Sequence, residues 1–170
     1  METTRTRLSP SGPYQDIAVP EVRAASWADV YGSGAVTAGA TPSTMSSAVA
    51  TASTSGALTA QVDLAPPYIE NGGAETIDVE VHASLSIECT EAAQTVTAYL
   101  YLDGAPVVGA EATETLDVAS STYNLAICRA QVRLNPGGRL DLYFDNETAQ
   151  NNLIVTSFSF AVKEHGTVAF

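Results

Sequence analysis

The chain has 170 residues, and one domain of this length buries roughly two thirds of its unfolded surface. Nineteen acidic residues oppose seven lysines and arginines, for a formal net charge of -12. Binding to a phosphate backbone needs clustered Lys and Arg, so this balance argues against a nucleic-acid partner. The chain shows no apolar run long enough for a bilayer and no secretory signal at its start, so we expect a soluble protein without a membrane partner.

Residues 1–24 differ from the rest in composition. They contain three prolines and balance three arginines against three acids, whereas the remaining residues carry the whole net charge. A segment of this kind before an acidic body is typical of an arm that lies on a partner surface or stays disordered. We predict an extended, irregular N-terminal arm over 1–24 and one domain over 25–170.

The next stretch, 37–59, is rich in Ala, Ser, Thr and Gly. A helix is conceivable near 45–52, but the Ser and Thr content weakens it, so we expect short strands and loops there. A clear strand follows at 77–89, where apolar residues take alternate positions. These residues are Ile77, Val79, Val81, Leu85, Ile87 and Cys89.

Two further runs carry turn and bulge signals. The first places Val96, Ala98, Leu100 and Leu102 on one face and ends at Asp103-Gly104, a strong hairpin signal. In the second, Leu125 and Ile127 are out of phase with Val132 and Leu134. This change of phase predicts a bulge near Cys128 to Ala130.

The last two runs complete the pattern. Leu140, Leu142 and Phe144 alternate after a turn at Asn135 to Gly138, which predicts a hairpin with core residues in its second strand. A closing strand follows, with Ile154, Phe158, Phe160 and Val162 as its apolar residues. Six or more antiparallel strands and hardly any helix predict an all-β fold, a β-sandwich.

Three tyrosines occupy the faces of these strands that point away from the predicted core. Tyr99, Tyr101 and Tyr143 are large amphipathic rings, which usually need cover when they lie on a surface. They therefore indicate a contact with another protein.

Two segments, AYLYLDGAPVVGAE and VRLNPGGRLDLYFDNETAQNNLIVTSFSFAV, carry a family resemblance. Their order resembles the complement-type and tumour-necrosis-factor-like jelly rolls of tailed-bacteriophage structural proteins. The resemblance covers roughly Trp27 to Val162 and departs from the pattern at Gly138-Arg139, where Gly-Asp is commoner. It implies an antiparallel jelly-roll β-sandwich.

The resemblance also implies a function. Such proteins form homotrimers, here through Tyr99, Tyr101 and Tyr143, and serve as head decoration (cement) proteins on the capsid exterior after synthesis in the host cytoplasm. The partner would then be the major capsid protein, contacted by the arm through Arg5, Arg7, Tyr14, Ile17, Val19 and Arg23. The alternative is a receptor- or carbohydrate-binding fibre tip, but the chain has no heptad or collagen repeat for a shaft.

The residue pattern offers little chemistry. His82 and His165 have no metal-ligand partner at fixed spacing, and Cys89 and Cys128 lack a CxxC partner, so we expect two free buried thiols and no metal or cofactor. The alternative is a disulfide, which would require neighbouring strands with Cα atoms within about 7 Å. There is no G-x-S-x-G elbow, and a triad would have to recruit one of the two histidines. We expect no enzymatic activity.

The carboxylates near the Asn-rich loop form the last candidate site. Asp141, Asp145 and Glu147 offer the oxygen ligands that calcium prefers, but the ligand series of a calcium loop is missing. We therefore expect a solvated acidic loop. A glycan-cleaving enzyme would need a carboxylate pair about 5 to 10 Å apart in a cleft.

Overall fold

The structure is a computed structural model, and it describes residues 4–6, 15–17, 25–36, 42–63, 65–146 and 153–165. The chain divides into two compact units. The first consists of Met1–Ala25 and Gly166–Phe170, and the second consists of Ser26–His165. In the first unit, β1 (Thr4–Thr6) pairs antiparallel with β2 (Gln15–Ile17). The predicted arm thus includes one short strand pair.

The second unit consists of two antiparallel sheets. Its strands are β3 (Trp27–Val36), β4 (Ser43–Thr44), β5 (Ser47–Ser55), β6 (Leu58–Gln61), β7 (Tyr68–Asn71), β8 (Ile77–Cys89), β9 (Gln94–Leu102), β10 (Ala105–Leu116), β11 (Tyr123–Leu134), β12 (Arg139–Asn146) and β13 (Leu153–Glu164). One sheet has the order β10-β9-β12-β7-β6, with β4 also paired to β12, and the other has the order β11-β8-β13-β3-β5. The predicted antiparallel jelly-roll β-sandwich is confirmed.

The core lies between the two sheets and follows the alternation of the strands. In β8 every second residue from Ile77 to Cys89 is buried, as the pattern predicts. Leu140, Leu142 and Phe144 are buried in the facing sheet, and Phe144 and Phe160 are the bulkiest of the fully buried side chains. Burial of an apolar side chain of this size contributes about 1.5–3 kcal/mol to stability.

The predicted hairpin at Asp103-Gly104 is confirmed. Both residues have positive φ angles, 51° and 79°, which a type I′ turn requires, and β9 pairs with β10 on either side of them. The predicted bulge in β11 is also confirmed, with the register shift between Arg129 and Val132. The register shift directs both apolar pairs into the core, because Leu125 and Ile127 before it and Val132 and Leu134 after it are all buried.

The predicted hairpin around Asn135 to Gly138 is wrong. The turn exists, since the Gly138 N–H donates to the Asn135 carbonyl oxygen at 2.8 Å, but β11 and β12 belong to different sheets. Buried Asn71 fixes this crossing, because its Nδ2 donates to the Leu134 carbonyl oxygen and its backbone bonds both Gly137 and Gly138. Alternation predicts which face of a strand is buried, but not which strand lies beside it.

The stretch 47–55 forms one long strand, β5, where short strands and loops were predicted. Two glycines of β3 make the pairing possible. A Cβ at Gly34 would lie 2.6 Å from the Ser47 carbonyl oxygen, and one at Gly32 would overlap the Val49 carbonyl oxygen. The edge of this sheet therefore depends on glycine at both positions.

Candidate functional site: the two outward sheet faces

The first candidate surface is the outward side of the sheet β10-β9-β12-β7-β6, which we call the tyrosine face. Tyr99 and Tyr101 of β9 and Tyr143 of β12 lie there together, as predicted, and all three are half-buried. The rings of Tyr101 and Tyr143 are stacked at 3.8 Å between centroids, and Tyr99 meets Tyr101 edge-on at 6.4 Å. The three rings thus cover one another.

Polar partners complete this cluster. The Tyr99 hydroxyl donates to Asp145 Oδ2 at 2.7 Å, and Asp145 is only 6% exposed. Its other oxygen, Oδ1, is buried without a hydrogen-bond partner. On the same face Arg139 Nε donates to Asp141 Oδ1 at 2.9 Å, and the guanidinium group lies 3.9 Å above the Tyr68 ring. Burial raises the pKa of Asp141, and Arg139 opposes this shift.

The expected solvated acidic loop is wrong for two of its three residues. Asp141 and Asp145 lie on β12 and are buried, because the neighbouring tyrosine and arginine side chains cover them. They stand four positions apart on one strand, about 13 Å, which is too far for a shared calcium ion. Glu147 lies outside the described residues.

The second candidate surface is the outward side of the sheet β11-β8-β13-β3-β5, which we call the open face. Four large apolar side chains are exposed on it: Trp27 (40%), Tyr31 (49%), Val49 (81%) and Ile154 (40%). Small residues lie between them, since Ser159 of β13 and Thr51 of β5 flank Tyr31 in register. A shallow depression runs beside Val49 and Ile154.

Trp27 and Tyr31 lie in β3, and sequence reasoning overlooked the face that they share. The signal is in WADVYGSGAV, where Trp27 and Tyr31 share the parity of polar Asp29 and Ser33. Large aromatic residues at solvent-facing positions of a strand indicate a surface that is covered in an assembly.

On the other half of the open face lie three side chains that can each offer a ligand atom to a metal ion. Glu80 and His82 of β8 point outward, and Cys128 of β11 lies directly opposite His82 in register. His82 Nε2 and Glu80 Oε1 are 2.8 Å apart, and the ligand atoms of all three residues lie within 4.8 Å of one another.

The two cysteines are free, as predicted, but only Cys89 is buried. Leu125 and Ile127 occupy the inward positions of β11, so Cys128 takes an outward one. Cys89 points into the core seven positions along β8 from His82, about 23 Å away along the strand, which excludes a disulfide between the two thiols. Burial raises the pKa of the Cys89 thiol, with a further contribution from Glu91.

The predicted capsid-contact residues belong to the N-terminal unit. Arg5 lies in β1, Ile17 lies in β2, and the two strands pair with Arg5 opposite Asp16. Arg7, Tyr14, Val19 and Arg23 lie outside the described residues. The role of all six residues stays a prediction.

No family model matches the sequence, and no curated protein matches it either. Among solved structures, the chain is similar to one described as the structure of Eiger TNF from S. frugiperda, with a TM-score of 0.52 and 13% identity over 82% of this chain and 93% of that one. The chain has a TNF-like jelly-roll fold. The phage origin implied by the resemblance stays a prediction. Within the described ranges, the structure contains no helix with the length and apolar character of a membrane span.

Proposed function

We propose that the protein is a structural protein of a virion, which assembles as a homotrimer and decorates the outside of a phage head. The observation that carries this proposal is the open face, where Trp27 and Tyr31 are 40% and 49% exposed on a five-stranded sheet. The TNF-like fold and the two segments that resemble phage jelly rolls support it.

The half of the open face formed by β3, β5 and β13 is our preferred contact between subunits. Strands of about ten residues span about 33 Å, and three neighbouring strands are about 10 Å wide. These strands would form the middle of a contact, and surface around them would supply the rest of the roughly 800 Å² that each partner buries in a stable interface. The small side chains around Tyr31 would let a second copy approach closely, and Trp27, Tyr31, Val49 and Ile154 would supply the apolar contacts.

The tyrosine face remains the rival surface. Tyr99, Tyr101 and Tyr143 were predicted to form the trimer contact, but their rings already cover one another and the Tyr99 hydroxyl already has a partner. Less apolar area is therefore left to bury there. Because the gain from association scales with the apolar area removed from water, the open face is favoured.

The oligomeric state distinguishes the two surfaces. We expect mass photometry to show a trimer for the wild type and a monomer for the double variant Trp27→Ser/Tyr31→Ser. The double variant Tyr99→Ser/Tyr101→Ser, checked for folding by circular dichroism, should remain trimeric. Val108→Ser is the matched control, because Val108 is exposed on β10. A monomeric wild type at micromolar concentration contradicts the trimer, and dissociation of only the tyrosine variant transfers the contact to the tyrosine face.

Head binding is proposed to reside in the N-terminal arm. The arm contains few apolar groups for a core of its own, and a partner surface would offer acceptors to Arg5, Arg7 and Arg23. Deletion of residues 1–24 should leave a folded trimer that no longer binds undecorated heads, as counted by electron microscopy. Full occupancy by the truncated protein would transfer docking to the jelly roll.

A second candidate function, glycan binding at a fibre tip, has one observation in its favour. The stacked, half-exposed pair Tyr101 and Tyr143 beside Asp141 and Arg139 combines an aromatic surface with polar groups, as ligand sites do. A glycan array would test it. Binding that is lost in Tyr143→Ala and kept after deletion of residues 1–24 would favour this function over decoration.

A further inference from the structure

The outward positions of β8 and β11 bring together three side chains with different donor atoms. Glu80 offers a carboxylate oxygen, His82 an imidazole nitrogen and Cys128 a thiol sulfur, and these atoms all lie within 4.8 Å of one another. Pairing of the two strands creates the cluster, because Cys128 is the register partner of His82 and Glu80 is two positions away on the same face. It lies on β8 and β11, with β13 between it and Trp27, because Lys163 of β13 is the register partner of both Glu80 and Trp27.

We propose that Glu80, His82 and Cys128 bind one thiophilic divalent cation, with zinc as the natural choice. Sulfur, nitrogen and oxygen from Cys, His and Glu are the ligand set of zinc sites, whereas calcium and magnesium take oxygen ligands. Three protein ligands leave the fourth tetrahedral position to water.

The present geometry requires only small adjustments. Zinc–ligand bonds of about 2.0–2.3 Å place neighbouring ligand atoms of a tetrahedron about 3.3–3.8 Å apart. His82 Nε2 and Glu80 Oε1 are now 2.8 Å apart, in a hydrogen bond that the ion would replace, and the remaining separations are at most 4.8 Å. The His82 side chain is 54% exposed and that of Glu80 is 36% exposed, so both can change rotamer freely.

The surroundings favour a cation on balance. The formal net charge of the chain is -12, which raises the local concentration of cations at its surface. Strand pairing places two cations beside this group: Lys163 of β13 is the register partner of Glu80, and Arg129 of β11 follows Cys128 and is the register partner of Val81. Both side chains are exposed and flexible, so they can turn away from a bound ion.

Cobalt(II) is a suitable probe, because a bound thiolate produces a near-ultraviolet charge-transfer band and tetrahedral coordination produces intense visible bands. The wild-type protein, reduced and free of metal, should show both at one cobalt per chain, and zinc should displace them. Cys128→Ser should abolish the charge-transfer band, and His82→Ala and Glu80→Gln should each weaken cobalt binding about ten-fold or more.

Matched controls use the second copy of each residue type. His165→Ala removes the other histidine, Glu88→Gln removes another outward carboxylate of β8, and Cys89→Ala removes the buried thiol. All three should bind cobalt like the wild type. Absence of the charge-transfer band in the wild type, its persistence in Cys128→Ser, or unchanged affinity in both His82→Ala and Glu80→Gln would overturn the site. Since none of these outcomes depends on trimer formation, the test is independent of the proposed function.

Discussion

The two outward faces follow the same strand alternation but treat their large side chains differently. On the tyrosine face, Tyr99 bonds buried Asp145 while Tyr101 and Tyr143 stack, so each group has a partner within the subunit. On the open face, Trp27 and Tyr31 are 40% and 49% exposed, with small residues around them.

This difference separates intramolecular stability from association. A face whose groups bond one another stabilises the subunit and gains little from a partner, whereas an exposed apolar face gains from a partner and adds little to the subunit. Substitutions on the tyrosine face should therefore change the free energy of unfolding of the subunit. Substitutions on the open face should change assembly instead.

The largest expected effect compares the two cysteines, one of which points inward and one onto the open face. The exposed Cys128 thiol should react with a disulfide reagent on the order of 100-fold faster than Cys89, which is buried and has a raised pKa. Timed reaction with Ellman's reagent measures both rates, and Cys128→Ser should remove only the fast phase. Two equally fast thiols would contradict the burial of Cys89.

The positions of the two cysteines illustrate how much of the site the sequence could predict. Alternation predicted the strand 77–89 and the inward direction of Cys89, and the change of phase in β11 predicted its bulge. The pairing of β8 with β11, which brings Cys128 to His82, depends on long-range contacts that alternation does not encode. For the same reason the turn after Leu134 was predicted as a hairpin, although it crosses between sheets.

Burial on the tyrosine face also lay beyond a pattern-based prediction. Asp141 and Asp145 occupy outward positions, where alternation predicts solvent. They are buried because the large side chains beside them on the same face cover them, and the size of a neighbour across two strands becomes known only with the register.

The second prediction removes the same atom from each face. Tyr99→Phe should lower the free energy of unfolding by about 1–3 kcal/mol, because it takes the hydroxyl donor from buried Asp145, whose Oδ1 already has no partner. Tyr31→Phe removes a hydroxyl from an exposed ring and should change the free energy of unfolding by less than about 0.5 kcal/mol. Urea unfolding of both variants below the assembly concentration measures the difference. Equal effects would show that the tyrosine face is not the stabilising one.

The third prediction concerns the stacked rings. A double-mutant cycle of Tyr101→Ala and Tyr143→Ala should give a coupling energy of about 0.5–1.5 kcal/mol in the free energy of unfolding, because the rings are stacked at 3.8 Å. The same cycle with Tyr31→Ala and Val49→Ala, which are diagonal neighbours exposed on the open face, should give a smaller value in the monomer. Strong coupling in the second pair would mean that the open face, too, is organised within the subunit.

The smallest expected effect is a pair of opposite pH dependences. Burial raises the pKa of Asp141 above its ordinary value of 3.8, so its contribution to stability is full below that value and is lost as pH rises through the raised pKa. On the open face, the hydrogen bond from Arg133 lowers the pKa of Asp78, so its contribution is present above 3.8 and is lost as pH falls through the lowered pKa.

The stability of the variants Asp141→Asn and Asp78→Asn, measured as the pH is lowered, therefore compares the two faces. When pH falls from 6 to about 3, Asp141→Asn should lose more unfolding free energy than the wild type, because it lacks the gain that protonation of Asp141 brings. Asp78→Asn should lose less, because it has no ion pair with Arg133 to break. Glu111→Gln, at an exposed position of β10, controls for the loss of one negative charge. Parallel curves for Asp141→Asn and Asp78→Asn would mean that the carboxyl groups of the tyrosine face and of the open face have the same environment. The difference between the two faces would then be limited to their large side chains.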